Sequence, residues 1–194
     1  STIFSILKTV AEEIRKTIRV YVMECRHRFG VTQEGENMAQ KIWNMGYRVF
    51  LISDISFAHY CCGDEAIKIN KIFIGCNIIH PEDKFVVNTI GSLAVAMVAK
   101  QSGIPLYVAG MRWKVFKKDR IKIIDEKRLL HLLLAEEDLQ HFKKKGITLE
   151  NPASDIIPFD MVSKIITEDG IFLPDEIPED RENYMLSKYS HIPQ

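Results

Sequence analysis

The sequence predicts an α/β domain built on a mainly parallel sheet with helices on both faces. Two observations carry that expectation. β-rich runs alternate with segments of helical spacing from one end of the chain to the other. The β-rich runs are also continuous apolar stretches rather than alternating apolar and polar residues, as strands buried on both faces must be. The chain contains no internal repeat and no low-complexity segment.

The elements follow in order. Residues Thr2 to Lys16 read as a helix, with Ile3, Ile6, Leu7, Val10 and Ile14 on one face. "IRVYVM" (Ile18 to Met23) reads as a strand. "ENMAQKIWNMG" (Glu36 to Gly46) has helical spacing at Met38, Ile42 and Met45, then a glycine stop. "RVFLIS" (Arg48 to Ser53) is strand again, and "ISFAHYC" a short helix. "KIFIG" (Lys71 to Gly75) is a strand followed by a polar loop, after which Asn88 opens a long apolar helix to Gln101. "IPLYVAG" (Ile104 to Gly110) is the next strand. "RIKIID" could be another strand, and Lys127 to Lys145 is a charged helical stretch. Met161 to Pro174 reads as a helix, a glycine stop and an extended end. The tail 175–194 is polar and irregular, and no domain boundary is evident, so residues 1–194 are expected to form one domain with a short tail.

Composition narrows the function classes. Lys plus Arg and Asp plus Glu number 26 each among 194 residues, so no bulk field recruits nucleic acid or an acidic membrane. Hydrophobic residues at 46% and charged residues at 27% suit a globular domain in the cytoplasm. The longest apolar runs, such as "LAVAMVA", fall far short of the ~20 residues of a membrane span. The four cysteines, Cys25, Cys61, Cys62 and Cys76, include no C-x-x-C pair, and the six histidines show no ligand spacing. Free thiols in a reducing compartment are expected, with no metal and no cofactor. Neither G-x-G-x-x-G nor G-x-x-x-x-G-K-[ST] occurs.

In such sheets ligands bind beyond the carboxyl ends of the strands. After Met23 come Glu24, Arg26, His27 and Arg28. Arginine forks suit phosphate or carboxylate, although taken alone this segment reads more readily as a solvated loop with its own Glu–Arg pair. After Ser53, Asp54 is either a helix cap or a ligand contact. After Gly75 come Cys76 and Asn77, then the helix expected from Asn88, whose first N–H groups and small residues Thr89, Gly91 and Ser92 would admit a phosphate. An ordinary Asn cap is the alternative. After Ala109, Arg112 and Lys114 add positive charge. Arg26, Asn88, Arg112 and Lys114 are expected to converge on one edge of the sheet, and that convergence favours a phosphate site over four unrelated loops.

The ordered run of segments resembles the translation initiation factor 2B α/β/δ family, which includes methylthioribose-1-phosphate isomerase and ribose-1,5-bisphosphate isomerase. "RVYVMECRHR" is similar to its V-x-V-x-E-[ST]-R-P, "GCNII…NTIGS" to G-A-D-x-I…N-K-I-G-T, and "AKQSGIPLY" to A-K-x-x-x-x-P-F-Y. "AGMRWKVF" is similar to A-E-x-x-K-F, and "NPASDIIP…ITEDG" to N-P-A-F-D-x-T-P…I-T-E-x-G. The closing "LSKYSHIPQ" and "FAHY" look most like the ribose-bisphosphate isomerase branch. The resemblance implies a Rossmann-like, doubly wound, mainly parallel sheet, and it implies that the family's N-terminal helical domain is absent from these residues.

Departures from the family pattern bear on activity. The isomerases use a Cys and an Asp as catalytic pair. Asn77 stands at the Asp position, and no residue here carries the Cys role. Thr89 replaces the motif lysine, and Met111 replaces the glutamate. A carboxylate accepts and returns a proton, whereas a primary amide does not at neutral pH. The resemblance therefore implies a binding or assembly member without its own catalytic residues, with Arg26, Asn77, Asn88, Thr89 and Lys114 lining the ligand site. The expected ligand is a phosphorylated sugar or nucleotide, and the expected partners are a second copy or further family subunits, with no nucleic acid and no membrane. The alternative is an aldose–ketose isomerase completed by residues upstream or in a partner.

Overall fold

The computed structural model describes residues 2–25, 34–63, 69–116 and 135–179. The chain divides into two units, Phe4–Ile69 with Glu126–Ser154, and Ser1–Ile3 with Asn70–Asp125 and Asp155–Gln194.

In the first unit, α1 (Thr2–Lys8) and α2 (Glu12–Arg15) replace the single helix expected over Thr2 to Lys16. The break follows from Thr9, whose hydroxyl donates to the Ile6 carbonyl at 2.7 Å and competes with the helix ladder. Arg15 then fixes the corner. Its guanidinium donates to three carbonyls, Val10 at 2.8 Å, Lys8 at 2.9 Å and Met45 at 3.2 Å. Strands β1 (Arg19–Met23) and β2 (Arg48–Ile52) run parallel, Arg19 opposite Arg48 and Met23 opposite Ile52. Between them α3 (Glu34–Trp43) buries Ile42, and Tyr47 is buried just before β2. A short α4 (Phe57–Cys62) follows β2, as the sequence predicts. The expected charged helix is seen as α6 (Glu136–Lys144), with Leu139 buried. Residues 127–134 of that stretch and the strand expected at "RIKIID" lie outside the described residues.

The second unit carries a four-stranded sheet in the order β3 (Ile72–Ile74), β6 (Leu106–Ala109), β8 (Lys164–Thr167), β9 (Gly170–Phe172). The first three strands are parallel, with Ile72 opposite Leu106 and Tyr107 opposite Lys164, and β9 returns antiparallel. A second sheet has the order β4 (Ile78–His80), β5 (Phe85–Thr89), β7 (Ser154–Pro158). Helix α5 (Ser92–Gln101) buries Val95, Ala96 and Ala99. The core is mainly aliphatic, with Ile79, Val86, Ala96, Ala99, Leu106, Val108, Ile157 and Ile165 fully buried.

Three elements correct the sequence reading here. Residues Lys164–Thr167 form a strand rather than a helix, because Ile165 and Thr167 are buried while their neighbours are only partly so, a period of two; the extended end expected after the glycine is β9, which pairs back on it as a hairpin. The "polar loop" after Gly75 contains the β4–β5 hairpin, in which Ile79 and Val86 face each other fully buried. Asn88 therefore lies within β5 and does not open a helix. Gly91, in the left-handed region at φ +95°, breaks the strand, and α5 begins at Ser92.

Candidate functional site

The carboxyl ends of β3 and β6 meet in the second unit. Gly75, Cys76 and Asn77 follow β3, and Gly110 with a 3-10 turn at Arg112–Lys114 follows β6. Gly110 lets the two ends approach, since a Cβ there would sit 2.2 Å from the buried Cys76 sulfur. The residues after the turn run beside β4, with Ile79 bridging Val115 in parallel and the Phe116 N–H donating to the Ile79 carbonyl at 3.0 Å. The Lys114 ammonium is thereby delivered to the Cys76 carbonyl, to which it donates a hydrogen bond, and it lies 5.5 Å from the centre of the Trp113 ring.

Asn77 is exposed at this tip, and its N–H donates to the Val87 carbonyl at 2.8 Å. Its backbone thus runs beside the Val87–Asn88 peptide. Asn88 is half-buried and its amide donates to the Ser92 hydroxyl at 2.8 Å, tying the end of β5 to the first residue of α5. Thr89, also half-buried, ends β5. Asn77, Asn88, Thr89 and Lys114 thus share one end of the second unit. Arg26 lies outside the described residues.

Three features differ from expectation. The N-terminus of α5 already holds a protein carboxylate, because the Leu93 N–H donates to Asp155 Oδ2 at 2.9 Å. A ligand anion at that helix end would meet the charge of Asp155. Asp155 belongs to the "NPASDIIP" motif, but nothing in its local sequence indicates that it reaches a helix 62 positions away. Arg112, expected to add its charge to the phosphate edge, is instead fully buried and donates to the Pro178 carbonyl. In a 3-10 turn, residues two apart point to different sides, so Arg112 and Lys114 diverge. Asp54, open between a helix cap and a ligand contact in the sequence, is not the N-cap, which is Ser53; its carboxylate accepts from the Cys25 N–H at 2.9 Å and joins the ends of β1 and β2 in the first unit.

Neither Cys76 nor Cys25 presents a thiolate. Burial pushes Cys76 up to about 11 against the opposing pull of the Lys114 ammonium. Burial and then the carboxylates of Asp54, Glu34 and Glu24 raise Cys25 to about 11 as well. Both are protonated at neutral pH. Among the described residues no cluster of three or more His, Cys, Asp or Glu could hold a metal, and no helix is long and apolar enough to cross a membrane. A cavity of about 270 Å³ lies at the opposite end of the β6–β8 pair, where Lys100 and Asp160 form a 2.7 Å ion pair. It is remote from the strand tips.

Comparison with known proteins agrees with this architecture. The chain is 29% identical over 187 residues to the ribose 1,5-bisphosphate isomerase of Methanocaldococcus jannaschii, covering 95% of this chain and 54% of that protein. It is 31% identical over 166 residues to the methylthioribose-1-phosphate isomerase of Bacillus cereus, covering 82% and 44% respectively. The chain therefore spans about half the length of these relatives. Among solved structures, the delta subunit of translation initiation factor eIF-2B from A. fulgidus superimposes with a TM-score of 0.65 at 25% identity, over 88% of this chain and 47% of that one. The eIF-2B structure from Pyrococcus horikoshii gives 0.64 at 24% identity, over 89% and 55%, a likeness of fold. The fold is α/β and Rossmann-like, and since residues 1–174 match the model of the initiation factor 2 subunit family, the chain belongs to that family.

Proposed function

We propose that this chain is a non-catalytic member of its family that binds a phosphorylated sugar or nucleotide at the carboxyl ends of β3 and β6, and that acts by assembling with a second copy or with other family subunits in the cytoplasm. The observation that carries this reading is Asn77. It is exposed beyond β3, where a proton shuttle would need an ionisable group, and an amide offers only hydrogen bonds to a sugar hydroxyl. The nearest thiol, Cys76, is buried and protonated, so it supplies no second half of an acid–base pair. Lys114 remains as a cation for a phosphate, with Asn88 and Thr89 as neutral neighbours.

Losing one acid–base group costs about 10²–10⁴-fold in rate, and losing both halves of a pair leaves binding without turnover. The test is a thermal-shift panel of ribose phosphates, methylthioribose 1-phosphate and nucleotides, with Lys114→Met as control. A phosphorylated ligand that raises Tm in the wild type and not in Lys114→Met supports the reading. No shift with any ligand would count against a ligand site.

A second reading, an aldose–ketose sugar-phosphate isomerase, draws on the isomerase names of the two relatives above. It requires catalytic groups from chain outside these residues or from a partner. Asn77→Asp separates the two readings: if the pocket is otherwise intact, an added carboxylate should raise any trace turnover.

A further inference from the structure

We propose that Arg112 is the positioning residue of this site: it holds the Arg112–Lys114 turn from behind, against the β8–β9 turn and Pro178, so that Lys114 is kept on the Cys76 carbonyl beside Asn77. The inference rests on the binding reading above and adds to it a route by which the segment after β9 controls the site.

The contacts form one chain. The Arg112 N–H donates to Glu168 Oε2 at 2.7 Å. The Arg112 guanidinium is fully buried, donates to the Pro178 carbonyl and has Asp169 Oδ2 3.8 Å from its Nε. Glu168 and Asp169 are the two residues between β8 and β9, and Pro178 follows the 3-10 turn at Pro174–Glu176, of which Pro174 is buried. The far side of the turn is held by its own bonds, Lys114 N–H to the Met111 carbonyl at 3.0 Å and Val115 N–H to the Arg112 carbonyl at 3.1 Å. Arg112 thus grips two acidic turn residues and the C-terminal segment on one side of the turn, and Lys114 faces the ligand side.

The guanidinium is fully buried and is placed by its hydrogen bond to the Pro178 carbonyl and by the Asp169 carboxylate 3.8 Å from Nε, so removing either partner leaves a buried charge less compensated and loosens the turn. A ligand contact on Lys114 inherits that placement, since a loose lysine loses part of its binding to ordering. Displacing the Pro174–Pro178 segment would release Arg112 and, with it, the turn.

The test combines two measurements on the full chain. Amide hydrogen exchange reports the turn without any ligand: Arg112→Met and Glu168→Ala should speed exchange at Val115 and Phe116 at least tenfold, while Tyr107 and Val108 in β6 stay protected. Arg112→Lys, which keeps the charge, should recover part of the protection. Ribose 5-phosphate titration then forms a double-mutant cycle. If Arg112 acts through Lys114, Arg112→Met weakens binding severalfold in the wild type and has little further effect once Lys114→Met is present. Unchanged exchange at Val115 and Phe116 in both variants would overturn the inference, as would fully additive losses in the cycle. Altered exchange with no wild-type binding of ribose 5-phosphate would leave the positioning intact and refute the ligand reading instead. Arg112→Met endangers a buried site, so Glu168→Ala, at an exposed residue, serves where it fails to fold.

Discussion

Replacing Gly110 by alanine tests whether the two strand ends truly close on each other. The added Cβ would lie 2.2 Å from Cys76 Sγ, with Ile79 Cδ1 at 3.7 Å and Lys114 Cδ at 3.9 Å. A comfortable contact needs about 3.5–4.0 Å, so the sulfur must retreat by more than an ångström. Cys76 is only 2% exposed and has little room to do so. Overpacking of this kind costs about 1–3 kcal/mol, and the burial of Cys76 places the expected value toward the upper end. For a chain of this size that corresponds to a Tm lower by about 2–12 °C. Removing the sulfur should relieve the clash. Cys76→Ala alone costs on the order of 1 kcal/mol as a small cavity, yet in the Gly110→Ala background it should raise stability. Urea unfolding of the four proteins measures the coupling. A Gly110→Ala variant as stable as the wild type, or additive losses in the double variant, would refute the closed approach of β3 and β6.

Two further outcomes follow from the same contacts. Arg15→Met removes three charged hydrogen bonds to carbonyls that hold the α1–α2 corner, and partial exposure limits the expected loss to about 2–3 kcal/mol, read as a lower urea midpoint. Arg15→Lys should recover little of it, because one ammonium does not reach three divergent carbonyls. The raised thiols set an alkaline limit. Cys76 moves from 9.0 to about 11 in the folded chain, so between those values the unfolded chain binds fewer protons than the native one. Stability should therefore fall as pH rises from about 9 to about 11, and Cys76→Ala should flatten that slope. An unchanged slope would show that Cys76 is not buried as a thiol.

The parallel framework was legible because it is written in local pattern. "RVYVM", "RVFLI" and "LYVA" are apolar runs with β-branched or aromatic residues, and all three are strands. The family was legible because motif segments recur in one order along the chain, and residues 1–174 match its model. What failed was short and non-local. The helical reading of the residues before Gly170 saw apolar residues at several spacings, and the pairing of Ile165 with Phe172 decides for a strand. Asn88 read as a helix opener because Asn is a good cap, yet the β-branched pair Val86–Val87 before it zips onto Ile78–Ile79. Arg112 and Lys114 look alike in sequence as two basic residues at a strand tip. Their opposite fates depend on Glu168 and Pro178, more than fifty positions away.

The claim at the centre of the account is that a ligand held beside Asn77 is not converted. Proton and phosphorus NMR of ribose 1,5-bisphosphate with the protein, followed over time, tests it in one sample. Ligand resonances should shift or broaden with protein, in a way that depends on Lys114, and no ketose signal should grow in. Ketose forming at an enzyme-like rate, and abolished by Asn77→Ala, would contradict it.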